Sequence, residues 1–99
     1  MLKADVVSYN AAISACEKGG RWELALELLN ECKTWSTPDT ISYNAAISSC
    51  EKGGRWELAL ELMNECKTWS TPDTISYNAA ISSCEKGGRW ELALKIMNE

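Results

Sequence analysis

The chain has 99 residues, of which 45% are apolar and 24% are charged, and its formal net charge is −4. These values are ordinary for one small folded domain and argue against global disorder. The chain contains no histidine, which excludes Ser-His-Asp triads, Cys-His dyads and histidine metal ligands. The acidic charge argues against a simple polyanion binder, because nucleic-acid-binding proteins usually carry a basic excess. No apolar run approaches the ~20 residues of a bilayer-spanning helix, so we expect no membrane partner.

The sequence repeats itself with a period of 34 residues. Residues 6–39 and 40–73 align without a gap and differ at four positions, and residues 74–99 repeat 40–65 with two changes. A period in this range is typical of solenoids and other repeat arrays. We therefore expect a single solenoid domain, with a lead-in at 1–5 and repeats at 6–39, 40–73 and 74–99, the last truncated after its second helix.

Each repeat begins with a helical pattern. Tyr9, Ala12, Ile13 and Cys16 recur at i, i+3, i+4 and i+7, which places them on one helix face. The paired glycines that follow permit a tight reversal of the chain. We expect first helices at about 6–18, 40–52 and 74–86.

A second helical pattern follows the glycines, at about 21–34, 55–68 and 89–99. Its wide apolar arc includes Trp22, and Glu23, Glu27 and Glu31 form a narrow acidic line that should face water. Proline in the segment between repeats cannot continue the helix, and Asp39 or Thr40 can cap the next one. The predicted fold class is all-α, an α-solenoid of stacked antiparallel hairpins. Neither end has a polar capping helix, which predicts either modest stability or end-to-end self-association.

The five cysteines follow the repeat rather than a metal-binding or redox motif. They recur at intervals of 34 within two series, which are Cys16, Cys50 and Cys84, and Cys32 and Cys66. Without histidine, these spacings provide no local ligand set. We interpret the cysteines as apolar filling of the core in a reducing compartment, and we expect no metal and no other cofactor.

The motifs distinguish two families of helical hairpins. The 34-residue period matches the tetratricopeptide repeat, but the first helix lacks its Trp and Leu-Gly, and the chain has no phenylalanine. Four motifs occur in order: Val6-Val7-Ser8-Tyr9-Asn10, the junction Cys-Glu-Lys-Gly-Gly-Arg, the second-helix segment Glu-Leu-Ala-Leu-Glu-Leu, and a terminal Pro-Asp. This series resembles the pentatricopeptide repeat over residues 5–99. The family's usual unit is one residue longer, which puts the superhelical pitch and the base spacing in question.

The resemblance implies sequence-specific binding of single-stranded RNA, with one base read per repeat. It assigns base reading to the Asn after the first-helix Tyr and to the last residue of the unit: Asn10 with Asp39, Asn44 with Asp73, and Asn78. It assigns contact with the base plane to Val7, Ile41 and Ile75, and contact with phosphate to Lys18, Lys52 and Lys86. It also implies organellar RNA processing in a mitochondrion or chloroplast.

The chemistry of the Asn–Asp pair points to uracil. An ionised carboxylate only accepts hydrogen bonds, and uracil presents an N–H where cytosine presents a bare acceptor. The resemblance likewise implies uracil. A purely structural reading is also available, since Asp39 can act as a helix cap and Asn10 can simply face water.

Other aromatic residues are expected to be structural. We place Tyr9, Trp22, Trp56 and Trp90 in the core. Trp35 and Trp69 are expected in loops, where they either cover the seam between repeats, which we favour, or stack on a base.

Two other functions compete with an RNA-binding array. The first is a scaffold that binds a peptide on its concave face, as tetratricopeptide arrays do, and the acidic charge and the period favour it. The second is an enzyme, which we do not expect, because carboxylates such as Glu23 and Glu27 lie on an open helix face without a pocket.

Overall fold

The structure is a computed structural model that describes residues 5–99, so residues 1–4 of the predicted lead-in lie outside the described residues. Within 5–99 the chain forms six helices in three hairpins: α1 Val6–Lys18, α2 Trp22–Trp35, α3 Thr40–Lys52, α4 Trp56–Trp69, α5 Thr74–Lys86 and α6 Trp90–Met97. This part of the chain contains no β-strand, and the predicted all-α class is confirmed. No described helix is both long enough and apolar enough to cross a membrane.

The first helices have the predicted bounds, whereas the second helices begin one residue later than predicted. Gly20 adopts a left-handed φ of 71°, and Arg21 after it takes a non-helical conformation at the N-cap of α2. The predictions that Trp35 and Trp69 lie in loops are wrong, because each is the last residue of its helix. The backbone N–H of Ser36 donates to the Cys32 carbonyl at 2.7 Å, which satisfies one carbonyl of the last turn of α2.

A capping box starts each of the last two hairpins. The Asp39 carboxylate accepts from the backbone N–H of Ser42 at 3.0 Å, and the Ser42 hydroxyl accepts from the backbone N–H of Asp39 at 3.0 Å. Asp73 and Ser76 repeat this arrangement at the start of α5. These reciprocal bonds satisfy two backbone donors at the helix start, and they fix both side chains at the junction between hairpins.

The hairpins stack in an asymmetric way. Helix α3 packs against both α1 and α5, while α2 packs against α3 and α4 against α5. The second helices of neighbouring hairpins approach each other only through their side chains, across grooves such as the one of about 170 Å³ between α2 and α4. Because the first helices lie closer together than the second helices, the stack curves with α1, α3 and α5 on its inner side.

The core lies between the two layers of helices. Tyr43, Ile47 and Cys50 lie on the buried face of α3 and are fully inaccessible to solvent. All five cysteines are buried and free, which agrees with the interpretation that they fill the core. Tyr9 is also buried, as predicted.

The tryptophans at the start of the second helices lie at the seams between hairpins rather than in the core, and the prediction for them is wrong. Trp22 is half-buried under the next hairpin, where the guanidinium carbon of Arg55 lies 4.8 Å from its ring centroid. Trp56 has the same relation to Arg89 at 4.7 Å. Trp90 begins the last hairpin and is 65% exposed. The exposure of each ring therefore depends on whether another hairpin covers it.

Candidate nucleic-acid interface

One stripe along each first helix contains all the first-helix positions predicted to contact RNA. In α1, Val7, Asn10, Ser14 and Lys18 are separated by three, four and four residues, so they lie on the same side of the helix. The same stripe recurs on α3 and α5, with Ile41, Asn44, Ser48 and Lys52, and then Ile75, Asn78, Ser82 and Lys86. The stack places the three stripes side by side on its inner layer.

The structure brings together the two side chains of each predicted reading pair. The Asn10 amide donates from Nδ2 to Oδ1 of Asp39 at 3.1 Å, and Asn44 donates to Asp73 at the same distance. In each case the asparagine belongs to one hairpin, and the aspartate caps the first helix of the next. The pair therefore lies at the seam between two hairpins.

A buried serine fixes the orientation of the amide. A carboxylate can only accept hydrogen bonds, so the amide must face Asp39 with its nitrogen. The Asn10 Oδ1 then points to the Ser42 hydroxyl, which donates to it and also lies 3.0 Å from Oδ1 of Asp39. Ser76 donates to Asn44 in the same way. The second amide N–H of each asparagine has no partner within the described residues, so each pair presents one donor beside a carboxylate acceptor.

Hydrogen bonds keep both aspartates ionised. Burial raises the pKa of Asp39, but bonds from the Ser42 backbone, the Asn10 amide and the Ser42 hydroxyl together outweigh it, and the pKa lies below its ordinary 3.8. The Ser76 backbone N–H and then the Asn44 amide lower the pKa of Asp73 below 3.8. Each carboxylate is therefore an obligate acceptor at neutral pH.

Asn78 has no such partner. It is exposed and makes no side-chain hydrogen bond within the described residues. At the other end of the stack, Asp5 caps α1 by accepting from the backbone N–H of Ser8 at 2.9 Å. Asp5 thus has the position in front of the first hairpin that Asp39 and Asp73 have in front of the next two.

The positions predicted to contact base planes are unusually exposed for large aliphatic residues. Val7 is 70% exposed, Ile41 63% and Ile75 64%. Each is the second residue of its helix and lies one turn before the reading asparagine. Their exposure does not change along the stack, so these side chains contribute to a surface rather than to the seams.

The predicted phosphate contacts are only partly free. Lys52 forms an ion pair with Glu17, and Lys86 forms one with Glu51 at 2.5 Å, whereas Lys18 is exposed and makes no ion pair within residues 5–99. The Lys52 and Lys86 side chains are about half-exposed. Their glutamate partners are only 17% and 15% exposed, but the half-exposed ammonium groups remain within reach of a phosphate.

Sequence reasoning missed the serines and the glutamate partners. The spacing Asp39-x-x-Ser42 is itself a signal for a capping box. The Glu17–Lys52 pair joins residues 35 apart, so it follows from the period of 34 once the first helices are known to pack side by side. The acidic line of Glu23, Glu27 and Glu31 is exposed on α2, as predicted.

The stacked hairpins and their repeated inner stripe define a helical-repeat solenoid. The sequence model of the PPR repeat matches this chain three times, at residues 7–36, 41–70 and 75–99. The chain therefore belongs to the PPR, or pentatricopeptide repeat, family. A comparison with curated proteins finds no significant match.

Proposed function

We propose that the chain binds single-stranded RNA along its inner layer and reads one uracil at each Asn–Asp pair. The observation that supports this proposal most strongly is the repeated combination of an exposed aliphatic side chain with an Asn–Asp pair at 3.1 Å. An exposed valine or isoleucine costs free energy in water, and its recurrence on one layer favours a ligand with flat apolar surfaces. PPR arrays are typically RNA-binding scaffolds without catalytic activity, and we assign this chain the same role.

The base edge meets the carboxylate and the second amide N–H of each Asn–Asp pair. The Asp39 carboxylate accepts from N3–H of uracil, and the second N–H of the Asn10 amide donates to a neighbouring uracil carbonyl. Cytosine presents N3 as an acceptor, which the carboxylate repels. Asn44 and Asp73 act on the next base in the same way, so the proposed register is U-U, with a third base at Asn78.

The aliphatic side chains support the base planes. A base at the first seam lies between Val7 of one hairpin and Ile41 of the next. Lys18, Lys52 and Lys86, at the far end of the same stripes, neutralise phosphates. This division matches the general rule that backbone contacts position a nucleic acid while base contacts specify it.

The affinity of this chain is expected to be low. Stacking contributes ~1–3 kcal/mol per base on aromatic side chains, and aliphatic contacts contribute less. At the aromatic value, two or three bases would provide ~2–9 kcal/mol before association costs, so the smaller aliphatic total corresponds to a Kd of about micromolar at best. A second copy at the end of the stack would lengthen the RNA-binding surface.

The test is a fluorescence-anisotropy titration at low salt with uracil-rich and cytosine-rich oligonucleotides. The wild-type chain is expected to prefer the uracil-rich oligonucleotide, and the double variant Asn10→Ala/Asn44→Ala is expected to bind it more weakly, because the variant loses the amide donor to each base. Asn30→Ala/Asn64→Ala is the matched control, because these asparagines occupy equivalent positions on the exposed side of α2 and α4. Equal binding of both oligonucleotides by the wild-type chain would contradict the uracil assignment.

The same titration separates the proposal from the peptide scaffold predicted as its alternative. A scaffold that binds a peptide on the concave face does not need the Asn–Asp pairs. A chain that binds no RNA at low salt, and whose peptide binding survives Asn10→Ala/Asn44→Ala, would favour the scaffold.

A further inference from the structure

The outer face of the last hairpin exposes side chains that the earlier hairpins bury. Met97 is 67% exposed, whereas its counterparts Met63 and Leu29 are 2% and 1% exposed. Leu94 is 50% exposed and Trp90 65%, while the corresponding residues of the first two hairpins are half-buried. We call this surface, formed by Trp90, Leu94 and Met97, the trailing face.

The two internal seams show what covers such a face. Gly53 lies so close to Trp22 that an added Cβ would be 2.5 Å from the ring, and Gly87 has the same relation to Trp56. Arg55 then lies over the Trp22 ring at 4.8 Å. Along the outer side of the seam, Leu26 and Leu29 line a groove together with Leu58 and Leu62 of the next hairpin.

The first hairpin carries the same covering residues, but no tryptophan of the described residues packs against them. Gly19 has room for a Cβ, with its closest neighbours at 3.4 Å or more, and no tryptophan is among them. Arg21 is exposed, and Leu24, the counterpart of half-buried Leu58, is 41% exposed. We call this surface, formed by Lys18, Gly19, Arg21 and Leu24, the leading face.

Charged groups at the two faces are also complementary. Each internal seam carries an ion pair from a glutamate of one hairpin to a lysine of the next, Glu17–Lys52 and Glu51–Lys86. Glu85 on the last hairpin and Lys18 on the first hold the corresponding positions and are exposed, and neither has an ion pair within the described residues. Contact between the two faces would pair these charges.

The Asn–Asp reading pairs also form only where another hairpin follows. Asn10 and Asn44 each bond to the aspartate that caps the next first helix, but Asn78 has none. At the start of the first hairpin, the Asp5 carboxylate accepts from the backbone N–H of Ser8, as the Asp39 carboxylate does from Ser42. Within the described residues, Asn78 therefore lacks an aspartate partner, and Asp5 is a residue of the required type.

We propose that the trailing face of one chain binds the leading face of a second copy, which supplies Asp5 to Asn78 and completes a third reading pair. The contact repeats the internal seam: Gly19 and Arg21 of the second copy cover Trp90, and Leu24 packs on Leu94 and Met97. The contact joins two different surfaces, so each copy retains a free end, and association continues into an open chain of copies.

Sedimentation velocity on the 99-residue chain without RNA tests the docking. The wild-type chain is expected to associate progressively with concentration, whereas Trp90→Lys and Gly19→Gln each remain monomeric. An equimolar mixture of these two variants is expected to form a discrete dimer, because each retains one functional face. Thr68→Lys is the matched control, because Thr68 is exposed on the internal hairpin and belongs to neither face, and it should associate like the wild type. Circular dichroism verifies the fold of each variant, and Met97→Lys serves as a second trailing-face variant.

A wild-type chain that stays monomeric over the accessible concentrations would overturn the docking. Continued association of either blocked variant alone would do the same, since it would require a contact between two identical faces.

Completion of the third reading pair rests on the proposed RNA function and has its own measurement. A uracil oligonucleotide long enough for two stacked copies is expected to bind the wild-type chain ~10-fold more tightly than Trp90→Lys, because the second copy contributes effective concentration. If sedimentation velocity shows that the wild type docks, but the wild type and Trp90→Lys bind the oligonucleotide equally tightly, the completed site is overturned. Absence of RNA binding in both chains would refute the proposed function and this site together, while the docking measured without RNA would stand.

Discussion

The Asn44 amide donates to the Asp73 carboxylate at 3.1 Å, although the two residues are 29 positions apart in the sequence. One of them belongs to the second hairpin, and the other caps the first helix of the third. The same hydrogen bond therefore stabilises the seam and fixes the groups offered to a ligand. Changes in this network should alter both stability and base preference, and the structure provides controls that separate the two effects.

Ser42→Ala should lower both stability and base discrimination. The variant removes the donor to the Asn10 Oδ1 and one half of the capping box at Asp39. Loss of a buried hydrogen bond that leaves a polar partner unsatisfied costs ~1–3 kcal/mol. Chemical denaturation measures the free energy of unfolding, and anisotropy measures the ratio of uracil to cytosine binding.

Ser49→Ala is the control for that variant. Ser49 is equally buried on the same helix, but its hydroxyl has no hydrogen-bond partner. The first hairpin already has Ala15 at this position. We expect Ser49→Ala to be neutral or stabilising, with unchanged base preference. A loss of stability in Ser49→Ala as large as in Ser42→Ala would contradict the assignment.

Acid should remove the stability that the capping carboxylates contribute. The folded-state pKa values of Asp39 and Asp73 lie below 3.8, so the unfolded chain binds more protons in this range. The contribution is therefore complete above 3.8 and is lost as the pH falls through the lower folded-state values. Asp39→Ser preserves a capping oxygen but removes the titrating group. The difference in unfolding free energy between the wild type and this variant should be constant near neutral pH and shrink below 3.8; a difference that did not change with pH would contradict this account.

Gly53→Ala should destabilise the chain by ~1–3 kcal/mol, the usual cost of overpacking. Its backbone φ of −82° suits alanine, so the cost arises from contact of the new Cβ with the Trp22 ring at 2.5 Å. Gly19→Ala is the matched control, because its Cβ meets ordinary contacts, and it should be neutral or slightly stabilising. Thermal unfolding of both variants provides the comparison. Equal melting temperatures for the two variants would contradict the close packing at the seam.

The period and the apolar spacing were enough to predict the helices and their pairing. The helix starts at Trp22 and Trp56 were missed by one residue, because the left-handed glycine before Arg21 and Arg55 leaves the arginine outside the helix. Local spacing cannot distinguish a side chain in the core of a hairpin from one at the seam between hairpins, and for this reason Trp22 was assigned to the core.

The candidate site was predicted only in part, since its polar groups act across hairpins. The pairing of Asn10 with Asp39 came from family resemblance, because nothing in the local pattern relates residues that far apart. The roles of Ser42 and Glu17 depend on how closely the first helices approach, and this distance is a property of packing. Asn78 shows the same dependence, because its environment changes when no hairpin follows.

The central claim, that the carboxylates at the seams select uracil, is tested most directly by exchanging them for amides. Asp39→Asn/Asp73→Asn retains the shape and a capping oxygen but adds a donor that can meet N3 of cytosine. Anisotropy titrations with uracil and cytosine oligonucleotides should show a preference for uracil in the wild type that decreases or reverses in the variant. The expected change is on the order of 1 kcal/mol per base, as for other base-edge contacts. An unchanged preference in the double variant would contradict the claim.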